Sequence, residues 1–95
     1  MYNYTGWIVR ATAGREKGKV FCVVGTQEEM LLLADGKRRR LAKPKRKKLG
    51  HLCCLTDQQN QFDHPVVEKL KQGLTVSNRE VRQLLGAFQA QSRRV

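Results

Sequence analysis

The chain has no long run of apolar residues. Its two longest runs are five residues each, at positions 20–24 and 30–34, whereas a helix that spans a bilayer needs about 20. The N-terminus has no basic stretch followed by an apolar one, so the sequence predicts no secretory signal. With 95 residues, the chain suits one small domain and is too short for a large enzyme with a deep cleft.

Cysteine does not follow the pattern of a disulfide-rich or zinc-binding protein. The three cysteines are an odd number, and Cys53 and Cys54 are adjacent, whereas small secreted domains usually have an even, spaced set. Adjacent strand residues point to opposite faces, so this pair and the nearby His51 converge poorly on one metal ion. We therefore predict a cytoplasmic protein with no metal site and no cofactor, in which Cys22 and one of the pair are core residues.

Acidic residues are scarce, with 8 Asp and Glu against 19 Lys and Arg, which gives a net charge of +11. Residues 1–56 contain 13 basic and 4 acidic side chains, whereas residues 57–95 contain 6 and 4. Within residues 37–48, nine of the twelve side chains are basic and none is acidic. The excess charge is therefore a patch in the middle of the chain, and a patch this dense indicates an anionic partner.

The first half of the chain predicts short β-strands separated by turns. The candidate strands are rich in apolar, β-branched and aromatic residues, and they lie at residues 6–11, 19–24, 30–34, 37–42 and 51–55. Asp35-Gly36 predicts a two-residue hairpin turn after the third strand, because such turns need positive φ at both positions. Five short strands with tight turns predict a small barrel.

The last third of the chain predicts two short helices. The first has three terminal features, which are a cap at Asp63 or His64, Pro65 in its first turn and Gly73 at its end. Ser77 and Glu80 have the spacing of a capping box for the second helix. That helix runs to about residue 91, and its apolar face consists of Val81, Leu84, Leu85 and Phe88.

These elements divide the chain into three predicted segments. Residues 1–56 form the barrel with its basic hairpin and loop, residues 57–62 form a polar linker, and residues 63–95 form a two-helix C-terminal appendage. The appendage either completes the core or presents a less charged surface to a partner. The predicted class is mostly β with an α tail.

A basic loop between the first two predicted strands resembles a known motif. Its sequence, Gly-Arg-Glu-Lys-Gly-Lys at residues 14–19, alone indicates only a turn and lacks the ending of a phosphate-binding P-loop. In its context, after an apolar strand at residues 8–11 and before a strand that begins Lys19-Val20, it resembles the KOW motif of ribosomal proteins and transcription elongation factors.

The resemblance extends along the chain to Asp-Gly-Lys at residues 35–37 and Lys-Pro-Lys-Arg-Lys-Lys-Leu at residues 43–49. About residues 4–56 are similar to short bacterial KOW-domain RNA-binding proteins, and the helical tail is also typical of that group. These proteins are related to the eukaryotic-type large-subunit ribosomal protein fourteen family. The resemblance implies a five-stranded SH3-like barrel and RNA binding, often within ribosomes.

The basic residues of this segment are the predicted RNA-binding site. Cations at this density neutralise phosphates and release counterions, and arginine binds phosphate through a planar fork or stacks on bases. A strand at residues 37–42 with cations on both faces is predicted at an edge, because one pair cannot face a core without cost. The predicted binding residues are Arg15, Lys17, Lys19, Lys37, Arg38, Arg39, Arg40, Lys43, Lys45, Arg46, Lys47 and Lys48. The predicted turn residues are Gly14, Gly18, Asp35 and Gly36.

Other partners fit the basic patch less well. A membrane surface is disfavoured because the basic run is not on an amphipathic helix and no acylation motif adjoins it. DNA is disfavoured because the chain has no helix-turn-helix, zinc finger or basic zipper. A solvated surface with a disordered loop remains an alternative. The candidates for stacking on bases are Tyr2, Tyr4 and Trp7, and core packing suits Trp7 better.

The leading hypothesis is a cytoplasmic RNA-binding protein that associates with ribosomal RNA or the translation apparatus and is monomeric when free. We predict no enzymatic activity, because the chain shows no paired acid and base and no activated nucleophile. Ribosomal or translation-associated proteins are predicted as further partners. The alternative is a protein-interaction module on a ribonucleoprotein or transcription complex, with docking through Leu84, Leu85 and Phe88.

Overall fold

The computed structural model describes residues 3–92. Within them, five strands form one antiparallel sheet, and two helices follow. The strands are β1 (Ile8–Ala11), β2 (Val20–Gln27), β3 (Met30–Ala34), β4 (Lys45–Lys48) and β5 (Leu52–Cys54). The helices are α1 (Pro65–Lys71) and α2 (Asn78–Ser92). The predicted class, mostly β with an α tail, is confirmed.

The sheet is open rather than closed into a barrel. Its strand order is β4-β3-β2-β1-β5, so β4 and β5 are edges that do not pair with each other within residues 3–92. Both edges are short, with four and three residues, and a 3₁₀ turn (Leu49–His51) rather than a hairpin joins them. The expected closure of an SH3-like barrel is therefore not observed, because the two short edges share no ladder of hydrogen bonds.

The fourth strand lies later in the chain than predicted. Residues 37–42 do not form a strand, and a ten-residue loop (35–44) precedes β4. The Asp35 carboxylate explains the difference, because its Oδ1 accepts hydrogen bonds from the backbone N–H groups of Lys37 (2.8 Å) and Arg39 (2.9 Å). The side chain thus bends the chain into a wide turn, and the predicted two-residue hairpin turn at Asp35-Gly36 is wrong.

The other strands occupy their predicted positions with shifted ends. β1 and β5 are shorter than predicted, and β3 has its predicted bounds. β2 continues past Gly25 to Gln27, because a shift of register between Val23 and Gly25 allows its pairing with β3 to continue. The predicted turn glycines all have positive φ, which is +79° at Gly14, +88° at Gly18 and +79° at Gly36.

Each face of the sheet has its own apolar core, because alternate strand residues point to opposite faces. On one face, the buried residues all come from strands and are Val9, Ala11, Phe21, Val23, Leu31 and Leu33. On the other face, the buried strand residues Ile8, Cys22 and Ala34 cluster with helix residues, which are Val66, Val67, Leu70, Val81, Leu84 and Leu85. The two helices therefore complete the core, the first of the two roles predicted for the C-terminal segment.

Both helices begin with a side-chain cap. His64 precedes α1, and its Nδ1 accepts a hydrogen bond from the Val66 N–H at 3.2 Å, with Pro65 in the first turn. Ser77 and Glu80 form the predicted capping box, in which each side chain accepts a hydrogen bond from the other's backbone N–H at 3.1 and 2.9 Å. Neither helix of the described chain has the length and apolar character needed to cross a membrane.

Candidate nucleic-acid interface

Two basic loops lie at the same end of the sheet. Loop L1 (residues 12–19) joins β1 to β2, and loop L2 (residues 35–44) joins β3 to β4. β1 and β3 run in the same direction, so the loops that follow them are neighbours. Arg39 of L2 donates hydrogen bonds from Nη2 (2.7 Å) and Nε (3.2 Å) to Oε1 of Glu16 in L1. This ion pair joins the two basic segments into one surface.

Glu16 is an acidic residue between the cations of that surface, and only 10% of its side chain is exposed. The hydrogen bonds from Arg39 are the main cause that lowers the pKa of the Glu16 carboxyl, and the Lys19 ammonium, 3.6 Å from Oε2, adds to the effect. Burial acts in the opposite direction and is outweighed. Glu16 is therefore ionised at neutral pH, and Arg39 has a positioning role between the loops.

L2 is also anchored to α2. The backbone N–H of Leu41 donates to Oδ1 of Asn78 at 2.8 Å, and Nη1 of Arg82 donates to the carbonyl of Gly36 at 2.7 Å. A Cβ at Gly36 would collide with the carbonyl oxygen of Asn78, so the close approach of L2 to the helix requires glycine. The basic loop is thus an ordered, anchored structure. Neither Asn78 nor Arg82 is predicted from the sequence, because each acts on a loop about 40 residues away.

The four cations of β4 divide between the two faces of the sheet. Lys45 and Lys47 lie opposite Leu33 and Leu31, and they therefore share the face of the all-strand core. Lys47 is only 8% exposed, and its Nζ donates to the carbonyl of Ala13 in L1 at 2.6 Å. The bond gives a hydrogen-bond acceptor to the Lys47 ammonium, which would otherwise be buried without one. Lys47 is therefore a second residue that positions L1.

The remaining predicted binding residues are accessible. Within residues 3–92, Arg46 makes one long hydrogen bond to Gln27, and Arg40 makes one to the carbonyl of Lys37, both at 3.4 Å. Ten of the twelve predicted residues keep their side chains at least partly exposed, and these are Arg15, Lys17, Lys19, Lys37, Arg38, Arg40, Lys43, Lys45, Arg46 and Lys48. Arg46 and Lys48 lie on the opposite face of β4 from L1.

Both acidic side chains of L1, L2 and β4 bind groups of the same loops. Glu16 is paired with Arg39, and Oδ1 of Asp35 holds two backbone N–H groups of L2. L1, L2 and both faces of β4 together contain twelve basic and two acidic side chains, which gives a formal charge of +10, out of +11 for the whole chain. A ligand that approaches therefore meets mainly cations, because the Glu16 carboxylate and one oxygen of Asp35 are held in internal contacts.

The aromatic candidates lie elsewhere. The rings of Tyr4 and Trp7 pack edge to face with centroids 4.7 Å apart, and both pack against the all-strand core. They line a cleft of about 290 Å³ with residues 57–59 and not with L1 or L2. Tyr2 lies outside the described residues.

The cysteines do not form a site. Cys22 is fully buried, as predicted, and burial raises the pKa of its thiol to about 12. Cys53 and Cys54 are both exposed on the edge strand β5, so the prediction that one of them is a core residue is wrong. Desolvation raises the pKa of Cys54. Within residues 3–92, no three His, Cys, Asp or Glu side chains converge as metal ligands would.

The predicted docking face of α2 is used inside the molecule. Leu84 and Leu85 are 0% and 6% exposed in the core between the helices and the sheet. Phe88 is partly buried and packs edge to face on Phe62, with ring centroids 5.4 Å apart. The expectation that this face is open to a partner is therefore wrong, because the sheet already covers it.

A cleft lies between the basic loops and α2. Its volume is about 320 Å³, and its lining residues are Gly18, Lys19, Val20, Asp35, Lys37, Arg82, Leu85, Gly86 and Gln89. Two of the predicted binding residues, Lys19 and Lys37, therefore meet at one concave site with a cation from α2. The charge of α2 at this site was not predicted.

The segment that carries the KOW resemblance is continuous in the structure. β1, L1 and β2 follow one another, and Gly18 lies shortly before β2. L2 and β4 complete the basic region behind them. No protein-family model and no curated protein matches the chain.

Proposed function

We propose that the protein binds RNA, without catalysis, through the surface formed by L1, L2 and β4. The observation that carries the proposal is the arrangement of charge on this surface. Glu16 and Asp35 are engaged within it, while ten cations keep side chains that are at least partly exposed, eight of them in L1, in L2 and on the face of β4 that carries Lys45. Cations in such an array neutralise phosphates, and the release of counterions gives affinity that does not depend on base sequence.

The ordered loops favour a folded RNA as the ligand. L2 is fixed by Arg39 on L1 and by Asn78 and Arg82 on α2, so little conformational entropy is lost when it binds. Loops mounted in this way suit recognition of phosphates and overall shape rather than a groove. We propose ribosomal RNA or the translation apparatus as the setting and the cytoplasm as the location, in line with the KOW resemblance.

The protein-interaction alternative is the second hypothesis, and no feature of the fold favours it over RNA. Its predicted face, Leu84 and Leu85, is buried. RNase treatment of native complexes separates the two hypotheses, because an RNA-bound protein is released and a protein-bound one is retained.

The first test is the salt dependence of RNA binding together with a charge reversal. For a single-stranded RNA, the logarithm of Kd should rise with the logarithm of salt concentration by about 0.7 for each phosphate neutralised. The double variant Arg38→Glu/Arg40→Glu removes two exposed cations of L2 and leaves Arg39 on Glu16. We expect it to bind at least about tenfold more weakly, with a salt slope lower by about one unit or more. Fluorescence anisotropy with a labelled RNA measures both.

The control is Arg10→Glu/Lys71→Glu, which changes the net charge equally at exposed positions outside L1, L2 and β4. It should bind nearly as well as the native chain. Equal loss in both double variants would mean that net charge alone attracts RNA. Affinity that does not depend on salt would contradict the proposed function.

A further inference from the structure

Gly86 of α2 is a glycine that neither packing nor backbone conformation requires. It lies in the interior of a fifteen-residue helix, where glycine is less favourable than alanine. Apart from its chain neighbours and the backbone of its own helix, a Cβ built on it would meet no atom within 4 Å. Gly86 lines the cleft between α2 and the basic loops, so a long side chain at this position can reach into that cleft.

The walls of the cleft combine three kinds of chemistry. Val20, which is half-buried, supplies apolar surface, and Lys19 and Lys37 supply cations from both basic loops. Arg82 uses one guanidinium N–H on the carbonyl of Gly36 and has further N–H groups that can donate.

Two polar groups of the cleft, Asp35 and Gln89, suit a ligand with more than a simple anion. Asp35 has its Oδ1 engaged with L2, and its Oδ2 makes no hydrogen bond within residues 3–92. A carboxylate repels phosphate but accepts hydrogen bonds from the N–H groups of a base. Gln89 presents an amide that can both donate and accept. The chemistry is therefore that of a base edge beside a phosphate.

We propose that this cleft holds one unstacked nucleotide of the bound RNA. The base lies against Val20 and the backbone at Gly86, its edge meets Asp35 and Gln89, and its phosphate lies between Lys19 and Lys37. The volume of about 320 Å³ is at the lower end for small-ligand sites, which suits one nucleotide rather than several. Bases are accessible in this way in single strands, loops and bulges.

The proposal rests on the proposed RNA binding and adds to it a preference for unpaired RNA. The test variant is Gly86→Gln, which fills the cleft without changing any charge. The probes are a fluorescein-labelled single-stranded RNA of about 12 nucleotides and the same strand annealed to its complement. Gly86→Gln should weaken binding to the single strand by about tenfold, because the glutamine side chain competes with the base for the cleft, and should change binding to the duplex by less than about twofold.

The matched control is Ala87→Gln, which places the same side chain at the next exposed position of α2, outside this cleft. It should leave both affinities unchanged. A second variant, Gln89→Ala, removes the amide from an exposed helix position and should also weaken only the single strand. Thermal unfolding of all three variants shows that each is folded.

The outcomes separate this proposal from the proposed function. If Gly86→Gln binds the single strand like the native chain, the cleft does not hold a nucleotide, while the salt dependence still supports RNA binding. Equal loss for single strand and duplex would also overturn the cleft proposal. Guanosine 5′-monophosphate is the last probe. If it binds with a dependence on Gly86 while the single strand shows none, the cleft takes a free nucleotide instead of RNA.

Discussion

Glu16 and Lys47 are charged residues that act inside the basic surface rather than on it. The Glu16 carboxylate holds Arg39 at 2.7 Å, and the Lys47 ammonium holds the carbonyl of Ala13 at 2.6 Å. Both contacts fix L1, one to L2 and the other to β4. Removing either charged group would leave its partner, a guanidinium or a carbonyl, without that bond, which costs more than the bond itself is worth.

The Glu16 ion pair makes stability depend on pH. Its folded-state pKa lies below the ordinary value of 4.5, so its contribution is fully present above pH 4.5 and is lost as the pH falls through the folded-state value. We expect the native chain to exceed Glu16→Gln in free energy of unfolding by about 1–3 kcal/mol at neutral pH. The difference should shrink below pH 4.5. Urea unfolding followed by the fluorescence of the single tryptophan, Trp7, measures it.

The control for this prediction is Glu29→Gln, at an exposed position in the turn between β2 and β3. It should change stability by less than about 0.5 kcal/mol. A difference between the native chain and Glu16→Gln that is the same at pH 3 and pH 7 would show that the charge of the carboxylate is not its source.

The sequence shows where cations are dense but not which of them have internal partners. The run of residues 37–48 predicts nine of the twelve binding residues, and the basic loop at residues 14–19 predicts the other three. Nothing local distinguishes Arg39 from Arg38, or Lys47 from Lys48. The partners of Arg39 and Lys47 lie 23 and 34 residues away, and such contacts follow from the order of the strands in the sheet rather than from neighbouring residues.

L2 shows how a helix can determine the structure of a distant loop. Asp35-Gly36 has the local pattern of a hairpin turn, but the Asp35 side chain holds the chain in a wider turn. Asn78 and Arg82 then bind that turn to α2. The capping box of α2 was predictable because its two residues are three apart. The contact of α2 with L2 was not predictable, because its two hydrogen bonds join residues that are separated by 37 and 46 positions in the chain.

The contact between Asn78 and L2 can be tested separately from the helix cap. In Asn78→Ala, the Leu41 N–H loses its acceptor, which should cost about 1 kcal/mol and speed hydrogen exchange at the Leu41 amide. Ser77→Ala is the matched control, because it removes the neighbouring cap at a similar cost of about 1 kcal/mol and leaves the L2 contact in place. Exchange of the Leu41 amide that is equally fast in both variants would mean that general loosening of α2, not this hydrogen bond, orders L2.

The whole molecule depends on two cores that share one sheet. The strands alone supply the first core, whereas the second exists only because α1 and α2 cover Ile8, Cys22 and Ala34. The sequence predicted both helices from their periodicity and caps. It left open whether they complete the core, because a helix with one apolar face does not show which surface covers it. The same helices carry Asn78 and Arg82, so the basic surface and the second core are stabilised together.

A chain that ends at residue 62 should therefore fail to fold cooperatively. It would retain every strand but expose the face of Ile8, Cys22 and Ala34, and the loss of this apolar burial is large compared with the stability of a small domain. The thiol of Cys22 reports the outcome, because in the full chain burial raises its pKa to about 12 and makes it inert. We expect a thiol reagent to modify only Cys53 and Cys54 in the full chain and all three cysteines in the shortened one.

Two substitutions in the full chain test, without truncation, whether α2 protects Cys22. Leu84→Ala removes a fully buried contact of α2 with the sheet and should cost about 2–5 kcal/mol, so Cys22 should react faster. Leu74→Ala, at a position that is 53% exposed, should leave the Cys22 rate unchanged. If residues 1–62 instead unfold cooperatively with Cys22 protected, the strands form an independent domain. The ordered state of L2 would then have to arise without α2, through Arg39 and Glu16 alone.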